Sequence, residues 1–313
     1  MRTIENPFGK LCSFDPKLLE DFPGTEPLAL RERTPHSLIL AAKSGKMLAL
    51  VPVALGRGPN RLLTEHFPDA EQAVPTVGWT IRREGLYLRN HCLLAFTSIL
   101  GQSSEVLPPI RDFPGHHRNA LNRFFRRCSE AFPATPSRSP ELTMLLEIKE
   151  RLAELTLALQ STQTEAVETP LVRLIGHGKS LIPEGDSALG GLILTGLAFR
   201  QGKRIRVDWA HRLVVEVHRF FRRTTLFGEN FLRPLLQGRT TARQERLLTA
   251  MDRDLETQSD SIIQEVADSL DAPGTAFLLG VASALEIVQG EVENRFRSGT
   301  PSRPRLRVIP PNS

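Results

Sequence analysis

Apolar residues recur in two rhythms along this chain, and the rhythm changes about a third of the way in. Ser37–Ala42 and Met47–Ala54 are short apolar runs separated by Lys43-Ser-Gly-Lys46, the pattern of two strands joined by a tight turn. Trp79–Arg83 and Leu86–Asn90 alternate apolar and polar positions around Glu84-Gly85, which predicts a second hairpin. After the breaker-rich stretch Leu107-Pro-Pro-Ile-Arg-Asp-Phe-Pro-Gly115 the apolar spacing lengthens to three and four residues. Helices are predicted over His116–Ala131, from Ser139-Pro140 to about Gln160, and over Val207–Arg222, Thr241–Arg253 and Ser259–Leu270. Ser139 is the expected N-cap of the second of these, with proline in its first turn.

The pattern describes an α+β chain, with a small mainly-β N-terminal domain followed by a larger, mainly α-helical C-terminal domain. The expected divisions are an irregular lead segment over 1–34, a β-rich domain and linker over 35–115, and a helical domain over 116–297. The lead segment carries one short helical stretch around Pro16–Asp21. Residues 298–313, with four prolines and three arginines among few apolar groups, read as a flexible basic tail.

Composition narrows the partners. With 313 residues, 40% of them apolar, the chain can bury a substantial core. Its net charge of +5 comes from arginine, because lysine occurs only seven times. Charges of both signs are interspersed, and one tyrosine with two tryptophans leaves few platforms for stacking bases, which argues against a nucleic-acid partner. Cys12, Cys92 and Cys128 stand far apart and form no disulfide or zinc pattern, as suits a reducing cytoplasm. The opening MRTIENPFGK has no apolar core of a signal peptide, and the apolar runs Met47–Leu55 and Leu189–Phe199 are too short to span a bilayer. The expectation is a soluble cytoplasmic protein with no membrane association.

The candidate chemistry centres on Arg173-Leu-Ile-Gly-His-Gly-Lys-Ser-Leu-Ile-Pro-Glu-Gly-Asp186. Its Gly178-Lys179-Ser180 shares three letters with a nucleotide-binding P-loop. However, Arg173 stands where the first P-loop glycine is needed, and Pro183 falls where the helix would run. A helix is expected instead after a turn at Gly185, with Asp186 as N-cap and small residues Ala188, Gly191, Thr195 and Ala198 on one face. Gly274-Thr275 opens a second such stretch, with Ala276, Gly280 and Ser283 on its small face. The two helices are expected to cross at these faces and to aim their N-termini at one pocket for an anion.

Around that pocket, His177, Gly178, Lys179 and Ser180 are the anion contacts expected from the loop, with Arg173 adding charge. Glu184 and Asp186 are placed to orient an amide nitrogen, although Asp186 serves equally as a cap alone. Thr224 and Thr225 either donate hydroxyls to a carboxylate or cap the helix that begins near Gly228. Asn60, after Gly58-Pro59, is placed to reach across from the β domain. No cofactor motif is present, and His116-His117, His211 and His218 lack metal-ligand spacing, so no metal is expected. No catalytic residue is assignable from sequence order.

Leu174–Gly191 resembles the signature loop of the AllH-like proteins, a family that includes a subunit of bacterial oxamate carbamoyltransferase, an allantoin-degradation enzyme. Val51-Pro-Val-Ala-Leu-Gly-Arg-Gly-Pro-Asn60 resembles that family's N-terminal strand and Gly-Pro loop. Thr224-Thr225 with Leu232 and Gly238 resembles its second motif, and Leu270–Gly280 its C-terminal glycine-rich turn. The resemblance implies a transferase subunit that binds a small carboxylate, amide or phosphate ligand and works with partner protein subunits. Carbamoyl transfer would need cations or N–H groups on the phosphate and the developing oxyanion. This sequence departs from the family where Gly, Thr and Ser become Ser180, Ile182 and Glu184, and where a paired aspartate becomes Ser187. The C-terminal turn reads Ala272-Pro273-Gly274, with Ala276 in place of a nearby aspartate. The backbone punctuation survives while polar groups are lost, so a catalytically silent scaffold or regulatory subunit stands beside the ligand-binding reading.

Overall fold

The computed structural model describes residues 6–34, 37–55, 58–68, 74–96, 105–130, 140–161, 165–205, 207–254, 256–268 and 272–297. Eight strands form one sheet: β1 (Leu11–Phe14), β2 (Glu26–Thr34), β3 (Ser37–Ala42), β4 (Met47–Pro52), β5 (Arg61–Thr64), β6 (Trp79–Arg82), β7 (Gly85–Leu88) and β8 (His91–Ala95). Their spatial order is β1-β5-β4-β3-β2-β6-β7-β8. Both predicted hairpins are present, β3–β4 around Lys43–Lys46 and β6–β7 around Glu84. Neighbours run antiparallel except β4 and β5, which pair in parallel.

The lead segment is not irregular. β1 closes one edge of the sheet against β5, and β2 is an interior strand between β3 and β6. β2 reads poorly as a strand because only Leu28 among its nine residues is buried. Its backbone is secured by two neighbours, while its charged side chains are partly buried or, at Arg31, exposed. The short helix α1 (Lys17–Asp21) follows β1, as expected, and buries Leu18. One apolar core lies on this sheet and includes Phe8, Phe14, Leu38, Leu50, Trp79 and Phe96. Trp79 donates its Nε1–H to the Pro75 carbonyl at 2.7 Å, so its polar edge is satisfied inside that core.

The helical region comprises α2 (Gly115–Glu130), α3 (Pro140–Gln160), α4 (Glu168–Leu174), α5 (Glu184–Gly202), α6 (Asp208–Arg219), α7 (Leu226–Leu236), α8 (Ala242–Arg253), α9 (Glu256–Asp268) and α10 (Ala272–Arg297). α2, α3, α6, α8 and α9 agree with the apolar spacing to within a turn, while α4 is not among the predicted helices. Ala131, Ser139, Leu270 and the basic tail lie outside the described residues. Two short strands, β9 (Glu105–Val106) and β10 (Arg239–Thr240), pair across the linker. Thr241 and Gln244 form a reciprocal capping box on α8. Asp254, in a left-handed conformation after α8, accepts the His116 and His117 N–H groups at 3.0 and 3.2 Å and so caps α2.

The second core gathers around α5 and α10, which cross face to face as the small residues predict. A methyl group at Gly191 would lie 2.0 Å from the Phe277 carbonyl, and one at Gly280 would lie 1.8 Å from the Ala188 carbonyl. Each glycine thus admits the other helix's backbone, an approach no larger residue allows. The segment Pro273–Asn294 of α10 is also long and apolar enough to cross a membrane by length and composition, unlike the shorter runs noted in the sequence. In this fold it packs along α5.

Candidate functional site

The loop between α4 and α5 is shaped by two glycines. Gly176 and Gly178 have φ of +73° and +135°, where L side chains are strained. They turn successive N–H groups inward, producing the concave backbone arrangement that suits an anion.

That concavity is filled by the chain itself. Glu184, only 5% exposed, places its carboxylate against the loop. It accepts the Lys179 N–H at 3.0 Å, the Ser180 N–H at 3.4 Å and the Ser180 Oγ–H at 2.6 Å. Two residues on, the fully buried Asp186 accepts the Gly176 N–H at 2.8 Å and the Thr224 hydroxyl. Burial raises the Asp186 pKa from 3.8 to about 6, against the opposing pull of the Thr224 and Gly176 hydrogen bonds. Two carboxylates on the first turn of α5 therefore do for the loop what a bound anion would do.

The helix starts differ from the expectation. α5 begins at Glu184 with Pro183 at the N-cap position, so Gly185 is not a turn and Asp186 is not the cap. Gly185 lies inside the first turn, donates its N–H to the His177 carbonyl at 2.8 Å and leaves room for the Leu174 carbonyl. α10 likewise starts before Gly274, whose missing side chain lets the Val266 and Ala267 carbonyls of α9 close in. Thr275 is half-buried on the first turn of α10. The two helix starts do meet: Ser187 donates its Oγ–H to the Pro273 carbonyl at 2.6 Å. Their meeting point is closed by this buried bond.

Among the remaining candidates, His177 sits with Nε2 3.0 Å from Glu147 of α3, while the Lys179 side chain is exposed. Thr225 caps α7 by accepting the Gly228 N–H at 3.0 Å, whereas Thr224 goes to Asp186. Asn60, with φ of +55°, donates its backbone N–H to Asp15 at 3.0 Å and belongs to the junction with β1 rather than to the loop. Two surface clefts of about 440 and 320 Å³ lie apart from the loop, the larger lined by Leu107, Leu197, Arg200 and Leu236 and the smaller by Glu245 and Ile262.

Sequence reasoning passed over a second polar cluster. His117 Nδ1 lies 3.3 Å from Asp254 Oδ1 and 3.2 Å from Ser259 Oγ. Both partners meet the same ring nitrogen, and the imidazole is 1% exposed, so the trio cannot relay a proton from serine to substrate. Burial lowers the His117 pKa, opposed by Asp254. Among the described residues, no group of three or more His, Cys, Asp or Glu is placed to hold a metal ion.

The fold and the loop thus define a two-part chain whose helical part is organised by a glycine-mediated helix crossing behind a loop closed by carboxylates. Residues 174–285 of this part match the family model of the oxamate carbamoyltransferase subunit AllH, the family that the loop resembles. No curated protein and no solved structure matches the chain.

Proposed function

We propose that this chain is a subunit of an oxamate carbamoyltransferase-type assembly in which the signature loop acts as a structural clasp, with the transfer chemistry residing in partner chains. The family match supports the subunit role. The observation that carries the clasp reading is the Glu184 carboxylate, held by two N–H groups and one hydroxyl in the place an external anion would need. A second carboxylate would repel phosphate or oxamate at that distance. The reading therefore departs from a ligand bound between two helix N-termini, since the meeting point of α5 and α10 is taken up by the buried Ser187–Pro273 bond.

Calorimetry with oxamate and carbamoyl phosphate separates the two. The isolated wild-type chain is expected to bind neither at millimolar concentration, while Glu184→Ser, which empties the concavity and restores the smaller side chain of the family pattern, is expected to gain phosphate binding. Wild-type binding that Lys179→Ala abolishes would overturn the clasp. Co-purification from the native host tests the subunit role, and a chain recovered alone at high yield would count against it.

A further inference from the structure

Three segments far apart in sequence lie side by side at one exposed face next to the α4–α5 loop. A methyl group at Gly176 would lie 2.3 Å from the Arg223 carbonyl oxygen, so the loop rests on the single 3₁₀ turn Phe221–Arg223 between α6 and α7. Thr225 Oγ1 donates to the Leu181 carbonyl at 3.4 Å, which joins the start of α7 to the end of the loop. On its other side α7 touches the β3–β4 turn. A methyl group at Gly45 would lie 3.4 Å from Leu226 Cδ1, and Asn230 donates its Nδ2–H to the Gly45 carbonyl at 3.2 Å. The sheet and the helical region therefore both contribute to this face.

Lys43, Lys179, Arg222 and Arg223 are exposed on these segments, and among the described residues their side chains make no hydrogen bond or ion pair. The flanking carboxylates are engaged elsewhere. Glu184 is held by the loop amides and Ser180, Glu216 by Arg219, and Glu229 by Arg233, while Glu26 accepts the Ser44 hydroxyl. Leu226, at the start of α7, is 38% exposed, one of five large apolar side chains left exposed among the described residues. A single surface cation is well solvated and needs no partner. Unopposed cations around an exposed leucine are different: they leave apolar area and positive potential that one complementary surface would cover together.

We propose that this face docks an acidic segment of a partner protein, with carboxylates set against Lys43, Lys179, Arg222 and Arg223 and an apolar side chain packed on Leu226. Its centre is aliphatic, not aromatic, which suits a polypeptide rather than unstacked bases. The docking rests on the subunit reading above, to which it adds the place and the charge of the partner.

The full chain is purified from the native host at low salt, with and without nuclease, and the recovered complex is treated with a carbodiimide, which joins lysine amines directly to carboxylates. With seven lysines in the chain, peptide mass spectrometry resolves which of them react. Cross-links from Lys43 or Lys179 to aspartate or glutamate of a partner chain are expected. Arg222→Glu with Arg223→Glu is expected to retain at least about tenfold less of that chain, with a thermal midpoint within about 2 °C of the wild type. Lys179→Glu, which leaves the turn untouched, should weaken retention in the same direction, and Arg126→Glu on the exposed side of α2 should not. A partner retained equally by the charge-reversed forms, or cross-linked only through lysines of other segments, overturns the docking face and leaves the subunit reading standing. A chain recovered alone overturns both. Retention that nuclease abolishes, or cross-links only between two copies of this chain, overturns the acidic partner.

Discussion

Replacing Asp186 with asparagine asks whether the loop is secured by a carboxylate whose charge is costly. Asp186 is fully buried in the first turn of α5, and its pKa is raised from 3.8 to about 6. The native state therefore holds its proton more tightly than the unfolded chain. Stability from this group is complete below about pH 4, is lost as pH rises towards 6, and stays lost above that. The rise corresponds to roughly 3 kcal/mol as an upper figure for one buried group. Asparagine has nearly the same shape and keeps an acceptor for the Gly176 N–H. Its amide N–H can face the Thr224 hydroxyl, which then accepts instead of donating. The variant should equal or exceed the wild type by about 1–3 kcal/mol at pH 7.5, and the advantage should shrink towards pH 4. Urea unfolding at several pH values between 4 and 7.5 gives the difference curve. A variant about 2 kcal/mol less stable at pH 7.5, with no slope between pH 4 and 6, would show that the hydrogen bonds outweigh desolvation and that the reasoning is wrong.

Other outcomes follow from the same geometry. Gly280→Ala puts a methyl group into the Ala188 carbonyl, so α5 and α10 must separate; a loss of about 1–3 kcal/mol or more in chemical unfolding is expected, and unchanged stability would refute the close crossing. The lowered pKa of the buried His117 means the unfolded chain takes up a proton first as pH falls below 6.5. Stability should therefore decline on acidification through that point, and His117→Gln should flatten this part of the profile measured by thermal unfolding.

How much was readable in the sequence depended on how local the cause was. The β3–β4 and β6–β7 hairpins follow from apolar runs flanking short polar turns, and α2, α3, α8 and α9 from helical spacing. The small faces of α5 and α10 were legible because glycine in a helix interior has few uses other than admitting another backbone. β2 was missed because its side chains carry charge while its hydrogen bonds are made by neighbours, one of which, β6, lies about fifty residues downstream.

The carboxylates of the loop were readable as residue types but not as actors. That Glu184 replaces a small residue of the related loop was visible in the letters. That its side chain folds back four and five positions onto Ser180 and Lys179 required coordinates, because a carboxylate reaches an amide only when the φ values of Gly176 and Gly178 aim it. Asp186 to Thr224, Ser187 to Pro273 and Asp15 to Arg239 join residues 38, 86 and 224 positions apart. Short-range preference set the elements and the glycines that let them touch. Which charge each loop encloses was settled by packing, since desolvation and hydrogen bonding act through distances in space that the order of residues does not contain.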